Sequence, residues 1–217
     1  MSQPTGLRER KKQATRQRIA DTARDLFAAH GFEAVTVAQI ADGADVSEAT
    51  VFIYFPTKED LFYSRLEAFE EELLAAVRDR ADGESVLAAF RAFLLDRRGV
   101  FALDAPGGDE AATEQLRAVT RVITESPALL ARERQVFSRY ADTLAGLIAG
   151  EAGASAGDIT PRAVANALLG VHRALIDHVR ARALAGATAA EIGPDVRAQA
   201  ERAFAQLERG LGDYAPR

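Results

Sequence analysis

The side chains best suited to metal or proton chemistry in this 217-residue sequence are three histidines, His30, His172 and His178, and cysteine is absent. Without cysteine there is no disulfide, no thiolate nucleophile and no Cys-based metal site. His172 and His178 stand six residues apart, and the Glu-x-x-His spacing of helical di-metal sites occurs nowhere. No nucleophile, base and orienting group can be assembled from the remaining pattern. The small-residue stretch GEAGASAG at 150–157 lacks the GK[ST] of a phosphate-cradling loop. The expectation is a protein that binds rather than catalyses, with no metal and no cofactor.

Charge points to what it binds. The net charge is −5, which alone argues against a polyanion partner. Residues 1–24, however, hold seven basic residues (Arg8, Arg10, Lys11, Lys12, Arg16, Arg18, Arg24) against Glu9 and Asp21, a local +5 that leaves −10 for the rest. All three lysines, Lys11, Lys12 and Lys58, fall in the first third. Arg8, Arg10, Lys11 and Lys12 read either as an arm lying along phosphates or in a minor groove, or as a solvated tail. With 48% hydrophobic and 27% charged residues the composition is that of a globular protein. No apolar run is long enough for a membrane span, and the basic start is not followed by a signal-peptide core, so the expected location is the cytoplasm.

The elements that must position these groups read as helices throughout. Ile19, Ala23, Leu26 and Phe27 make one apolar stripe in a first helix over 14–30, stopped by Gly31. Thr36 and Gln39 form a capping box for a short second helix over 37–42. Ser47 caps a third helix, and Thr57, after Pro56, caps a fourth that continues through Leu61, Arg65, Phe69, Leu73 and Val77 to near Gly83. Ser85 caps a helix to about Leu95, and further helices are expected from Glu110 to Ile123, Pro127 to Gly150, Pro161 to Ala185, and Pro194 to Tyr214. The reading is all-α, three short helices followed by six longer ones.

The second helix, a turn at 43–46 and the third helix have helix-turn-helix dimensions, closed by Val37, Ile40, Ala41, Val46 and Val51. If the third helix buries Val51 and Phe55, then Glu48, Ala49, Phe52 and Ile53 face away, and small and flat apolar groups on a rigid helix tip suit a DNA major groove. Lys58, at the start of the fourth helix, adds a cation to N–H groups already suited to an anion; it reads as a phosphate holder or as a solvated lysine. Glu48 either accepts from a cytosine amino group or sits clear of the backbone.

Three segments carry a family resemblance: R-x-R-I-A-x-x-A-x-x-L-F-A-x-x-G-F at 16–32, T-V-x-x-I-A at 36–41 and V-S-x-x-T-V-F-x-Y-F-P-T-K-E-D-L-F at 46–62. Over residues 15–62 the chain resembles the TetR (tetracycline-repressor-like) transcriptional regulators. The resemblance implies an all-α protein with an N-terminal three-helix DNA-binding domain (residues 1–56) and a larger C-terminal helical domain for effector binding and dimerisation (residues 57–217). It implies that the third helix reads the major groove of a palindromic operator in double-stranded DNA. Phe52 and Tyr54 would contact backbone and base methyls, and Lys58 would hold a phosphate. The DNA-contacting set expected on these grounds is Lys11, Lys12, Arg16, Thr36, Ser47, Glu48, Ala49, Thr50, Phe52, Ile53, Tyr54 and Lys58. Two positions depart from the pattern. Asp45 replaces the usual turn glycine, which Asp tolerates better than most residues, and Phe52 replaces a tyrosine, losing a hydroxyl donor.

Further on, Leu168, Val171, Leu175 and Val179 form one stripe and Phe204, Leu207 and Leu211 another. They finish the monomer core or pair across a two-fold axis; a helix-turn-helix reads only a half-site, and both this and the resemblance favour a homodimer interface. Phe90, Phe93, Phe101, Leu116, Phe137, Arg121, Tyr140 and His172 are core or surface residues in the first instance. The resemblance places a mostly apolar small-molecule effector pocket, loosely like those for acyl chains, among them. A regulator released from DNA by such an effector is the leading reading, and a helical interaction module that has lost DNA binding is the alternative.

Overall fold

The computed structural model describes residues 6–96 and 108–211. Their regular structure is ten α-helices: α1 Leu7–His30, α2 Val37–Gly43, α3 Glu48–Tyr54, α4 Lys58–Phe62, α5 Ser64–Arg78, α6 Val86–Leu95, α7 Gly108–Glu125, α8 Pro127–Ala152, α9 Thr160–Leu184 and α10 Ala189–Leu211. The all-α expectation holds, and three boundaries differ from those expected.

Helix α1 begins at Leu7, so the basic residues expected in an arm occupy its first two turns. The reason is local: Leu-Arg-Glu-Arg-Lys-Lys-Gln-Ala contains only good helix formers, with Gly6 before them. The fourth helix is broken at Tyr63, whose N–H closes α4 onto Glu59 O and whose hydroxyl donates to Leu129 O at 3.1 Å. Helix α10 starts five residues before Pro194, which lies inside it. Thr188 and Glu191 form a reciprocal capping pair, 2.9 and 3.2 Å. The Ala189 and Ala190 N–H groups are taken by Thr113 Oγ1 (2.8 Å) and an Asp109 carboxylate oxygen (2.6 Å). Four satisfied donors at that end outweigh the one hydrogen bond that Pro194 forfeits. Tyr214, the expected end, lies outside the described residues.

The chain forms two compact units, Met1–Leu66 with Val122–Arg132 and Glu67–Arg121 with Glu133–Arg217. The first unit thus reaches past α4 to Leu66 and also takes in the α7–α8 junction. Within that unit Ser126 Oγ donates to Glu33 (2.8 Å) and Arg132 pairs with Asp60 at 2.5 Å. These links join residues 72 and 93 positions apart, which local pattern does not reveal. The unit's core is Ile19, Ala23, Phe27, Phe32, Val35, Ile40, Val51, Phe55 and Leu61, with Phe27, Phe32 and Phe62 in mutual ring contact at 5.1 to 5.8 Å.

The second unit is built around Leu73, Val77, Val86, Phe90, Leu94, Leu144, Ile148, Leu168, Ile192 and Phe204. Its buried charges are paired. Arg80 donates to the Val77 and Glu84 carbonyls and pairs with Glu151 at 2.7 Å, and Arg180 meets both carboxylate oxygens of Glu133 at 2.9 and 2.5 Å. Unpaired, such charges would cost several kcal/mol each, of the order found when one partner of a buried pair is removed.

Candidate nucleic-acid interface

The helix-turn-helix is fixed by caps and one tight turn. Thr36 Oγ1 accepts from Gln39 N–H at 3.2 Å while Gln39 Oε1 accepts from Thr36 N–H at 2.8 Å, so α2 starts where expected. Asp45 adopts φ +52°, the sole left-handed non-glycine residue among those described, and this carries the chain from α2 to α3. Gly43 lies so close to α1 that a Cβ there would sit 2.9 Å from Thr22 Cγ2. Ser47 Oγ accepts from Thr50 N–H at 3.1 Å and lies 2.8 Å from Thr50 Oγ1.

With both ends held, the faces of α3 are set. Val51 and Phe55 are each 1% exposed, whereas Phe52 is 48% and Ile53 78% exposed. Glu48 and Ala49 are exposed beside them, and Thr50 and Tyr54 are partly so. Two of the four large apolar side chains exposed among the described residues thus sit side by side on this one short helix. Glu48 opens α3, where its carboxylate complements the positive end of the helix, which gives it a local role independent of any base.

The cations divide into two groups. Arg8, Arg10, Lys11, Lys12 and Arg18 are exposed on α1. Arg16 instead lies with its guanidinium 4.8 Å from the ring centre of buried Phe55, beside the C-terminal end of α3. Lys58 also has protein partners: its ammonium donates to Phe32 O (2.8 Å) and Val35 O (3.2 Å) and sits 4.2 Å from the Phe32 ring centre. Arg16 thus braces the C-terminal end of α3 and Lys58 ties the start of α4 to the 32–35 loop, contacts that helix-end logic does not reveal because the partners lie 23 to 39 residues away.

This geometry has close relatives. Residues 19–64 match the family profile described as bacterial regulatory proteins, tetR family, and residues 97–212 match the profile of the MftR C-terminal domain. The regulator TcmR of Streptomyces glaucescens is 33% identical over 154 residues, 70% of this chain and 67% of TcmR. The chain belongs to the TetR family. The regulator MftR of Mycobacterium tuberculosis is 27% identical over 176 residues, 78% of this chain and 81% of MftR. Among solved structures, NalD of Pseudomonas aeruginosa superposes with a TM-score of 0.53 at 22% identity, covering 92% of this chain and 96% of NalD, and shares the fold. This TetR-family chain is a DNA-binding transcriptional regulator, and the helix-turn-helix above is the part of it built for DNA.

In the second unit of the TetR-family chain the residues expected at an effector pocket fall into different places. Phe93, Phe137, Tyr140 and His172 come together, joined by Phe69, whose sequence signal is only its place in a helix stripe. Phe90 faces Phe204 in the core, ring centres 6.2 Å apart. Leu116 packs partly buried against that core, Arg121 is exposed, and Phe101 lies outside the described residues. Of the residues expected between subunits, Leu168, Leu175, Val179 and Phe204 are buried within the monomer, because α9, α10 and α6 pack on one another in the same chain. Val171 and Leu207 are partly buried at the margin; the Leu211 side chain lies outside the described set. Beside that stripe a shallow groove of about 430 Å³, lined by Ala167, Gly170, Val171, Ala174, Gln199 and Ala203 among others, remains open. No helix among the described residues is long and apolar enough to cross a membrane.

Proposed function

We propose that this TetR-family regulator is a cytoplasmic homodimeric repressor that reads a palindromic operator through α3 and releases it when a small, mainly apolar effector occupies the helical C-terminal unit. The carrying observation is α3 itself: a capped helix that buries Val51 and Phe55 while holding Phe52 at 48% and Ile53 at 78% exposure. Large apolar groups held out on a rigid tip gain nothing in water, and they match thymine methyls and sugar faces in a major groove. Ala49, Thr50 and Tyr54 complete that face, with Glu48 at its N-terminal edge. Lys11 and Lys12 on α1 supply phosphate contacts, and Ser47 and Thr36 reach the backbone from the two helix starts. Lys58 and Arg16 act chiefly by bracing the platform, with phosphate contact secondary.

The dimer forms through the groove of small side chains on α9 and α10, with Val171 and Leu207 at its edge. Small residues let a second helix pair approach closely. Two copies then present two α3 helices about one DNA turn, roughly 34 Å, apart. The effector acts by binding the two head arrangements unequally. Footprinting on DNA upstream of the regulator's own gene tests this reading: two protected half-sites related by a dyad, their centres one turn or a whole number of turns apart, are expected. Protection of a single half-site, or none, contradicts it.

A further inference from the structure

Five rings in the C-terminal unit form a chain that runs across four helices. Phe93 of α6 contacts Phe69 of α5 at 5.1 Å between centres, Phe69 contacts His172 of α9 at 5.5 Å, His172 contacts Phe137 of α8 at 5.5 Å, and Phe137 contacts Tyr140 at 6.4 Å. His172 is 0% and Tyr140 3% exposed, yet both ring nitrogens of His172 and the Tyr140 hydroxyl lack a hydrogen-bond partner. Buried polar atoms are nearly always satisfied, because an unsatisfied one carries its full desolvation cost. Three such atoms in one aromatic cluster are a standing cost that phenylalanine at both positions would remove. A bound molecule that pairs with two of them, one His172 nitrogen and the Tyr140 hydroxyl, would remove most of that cost.

The chemistry of that molecule follows from the groups it would meet. Burial lowers the His172 pKa to about 4, so at neutral pH the ring is uncharged, with one nitrogen donating and the other accepting. Tyr140 can donate and accept. The ring chain itself bears no charge, and Glu133 and Arg180, four and eight residues from Phe137 and His172 along their helices, hold each other bidentately. Among the described residues Arg180 and Arg139 are held by Glu133 and Glu70, so a carboxylate or phosphate entering this cluster would lose its water without gaining a free cation from either. Faces and edges of five rings favour a flat aromatic partner. Phe69 and Phe93, the two rings that are only partly buried, mark the side of entry.

We infer that the Phe69–Phe93–Phe137–Tyr140–His172 cluster binds an uncharged aromatic molecule bearing both a hydroxyl and a carbonyl, the hydroxyl donating to the bare His172 nitrogen and the carbonyl accepting from Tyr140. This assignment rests on the effector reading above and narrows it: acyl chains with anionic heads are disfavoured. Because the rings are in contact in the free form, the ligand must part them. Its binding therefore distinguishes two arrangements of the unit, which is what an effector needs to do.

Calorimetric titration of the full chain with para-hydroxybenzophenone, benzophenone, para-benzoylbenzoate and palmitate tests the inference. The hydroxy-ketone is expected to bind about tenfold tighter than benzophenone, and the carboxylate more weakly than either. His172→Phe should weaken the hydroxy-ketone about tenfold and leave benzophenone within twofold, whereas Tyr140→Phe should weaken both ketones about tenfold; both variants should melt no lower than the parent, which separates lost recognition from misfolding. Tighter binding of para-benzoylbenzoate or palmitate, equal binding of the two ketones, unaltered affinity in both variants, or no binding by any probe overturns it. Operator release by the same probes separates the two readings. Release by palmitate but not by the hydroxy-ketone sinks this assignment and keeps the effector reading; tight hydroxy-ketone binding with the operator still held does the reverse.

Discussion

At pH 6.5 His172 is neutral where an exposed histidine would be half charged: burial takes its pKa from 6.5 to about 4. The unfolded chain takes up this proton near pH 6.5 and the folded chain only near 4, so the folded state is not penalised above 6.5 and loses stability as pH falls between the two values. The loss reaches about 3 kcal/mol, at 1.36 kcal/mol per pKa unit. Denaturant titrations from pH 7 to 4 should show this slope, and His172→Phe should flatten it. On α3 the expected outcomes are opposite in kind. Phe52→Ala with Ile53→Ala should leave stability within about 1 kcal/mol, since both side chains are largely exposed, and should weaken operator binding at least tenfold with an unchanged salt slope. Lys12→Ala should weaken all duplexes alike and reduce that slope by about one. Binding isotherms at several salt concentrations check both. The split of α3 into buried Phe55 and exposed Phe52 was legible in the sequence, because a helix that buries Val51 must turn Phe55 inward and Phe52 out. The partners of Lys58 and Arg16 were not, since carbonyls of the 32–35 loop and the Phe55 ring reach them only after the helices have packed.

At the scale of elements, side chains that cap helix ends were the readable signals. Thr36, Ser47, Thr57 and Ser85 each accept from the N–H three residues on, as their spacing implies. Errors arose where two local signals competed or where a distant contact intervened. At α10 the rarity of proline inside helices suggested a start at Pro194, whereas Thr188-x-x-Glu191 is the signal the fold uses. Thr188→Ala should therefore cost about 1 kcal/mol by thermal or chemical denaturation. The break between α4 and α5 falls at Tyr63, whose hydroxyl meets Leu129 O, 66 residues away, and nothing near Tyr63 in the sequence announces it. Lys58→Ala belongs here too. By removing two hydrogen bonds to the 32–35 loop it should destabilise the chain by about 1–3 kcal/mol as well as weaken DNA binding, whereas a purely phosphate-holding lysine would leave stability alone.

For the molecule as a whole, the stripes on α9 and α10 were open to two readings, monomer core or partner copy. The chain's own helices cover Leu168, Leu175 and Phe204, and the surface proposed for a second copy is the groove beside them. Gly170 tests that surface cleanly, since a Cβ there meets nothing within 4 Å in the monomer. Gly170→Arg should keep the helical content and thermal stability of the chain, halve the mass seen by sedimentation and abolish operator binding; an intact dimer would refute this choice of surface. Sequence-specific recognition of DNA is measured most directly by selection of bound fragments from random duplex, followed by competition between the enriched sequence and random DNA at about 150 mM salt. A palindromic consensus bound at least about 1,000-fold tighter than random duplex is expected. Equal affinity for enriched and random DNA would contradict it.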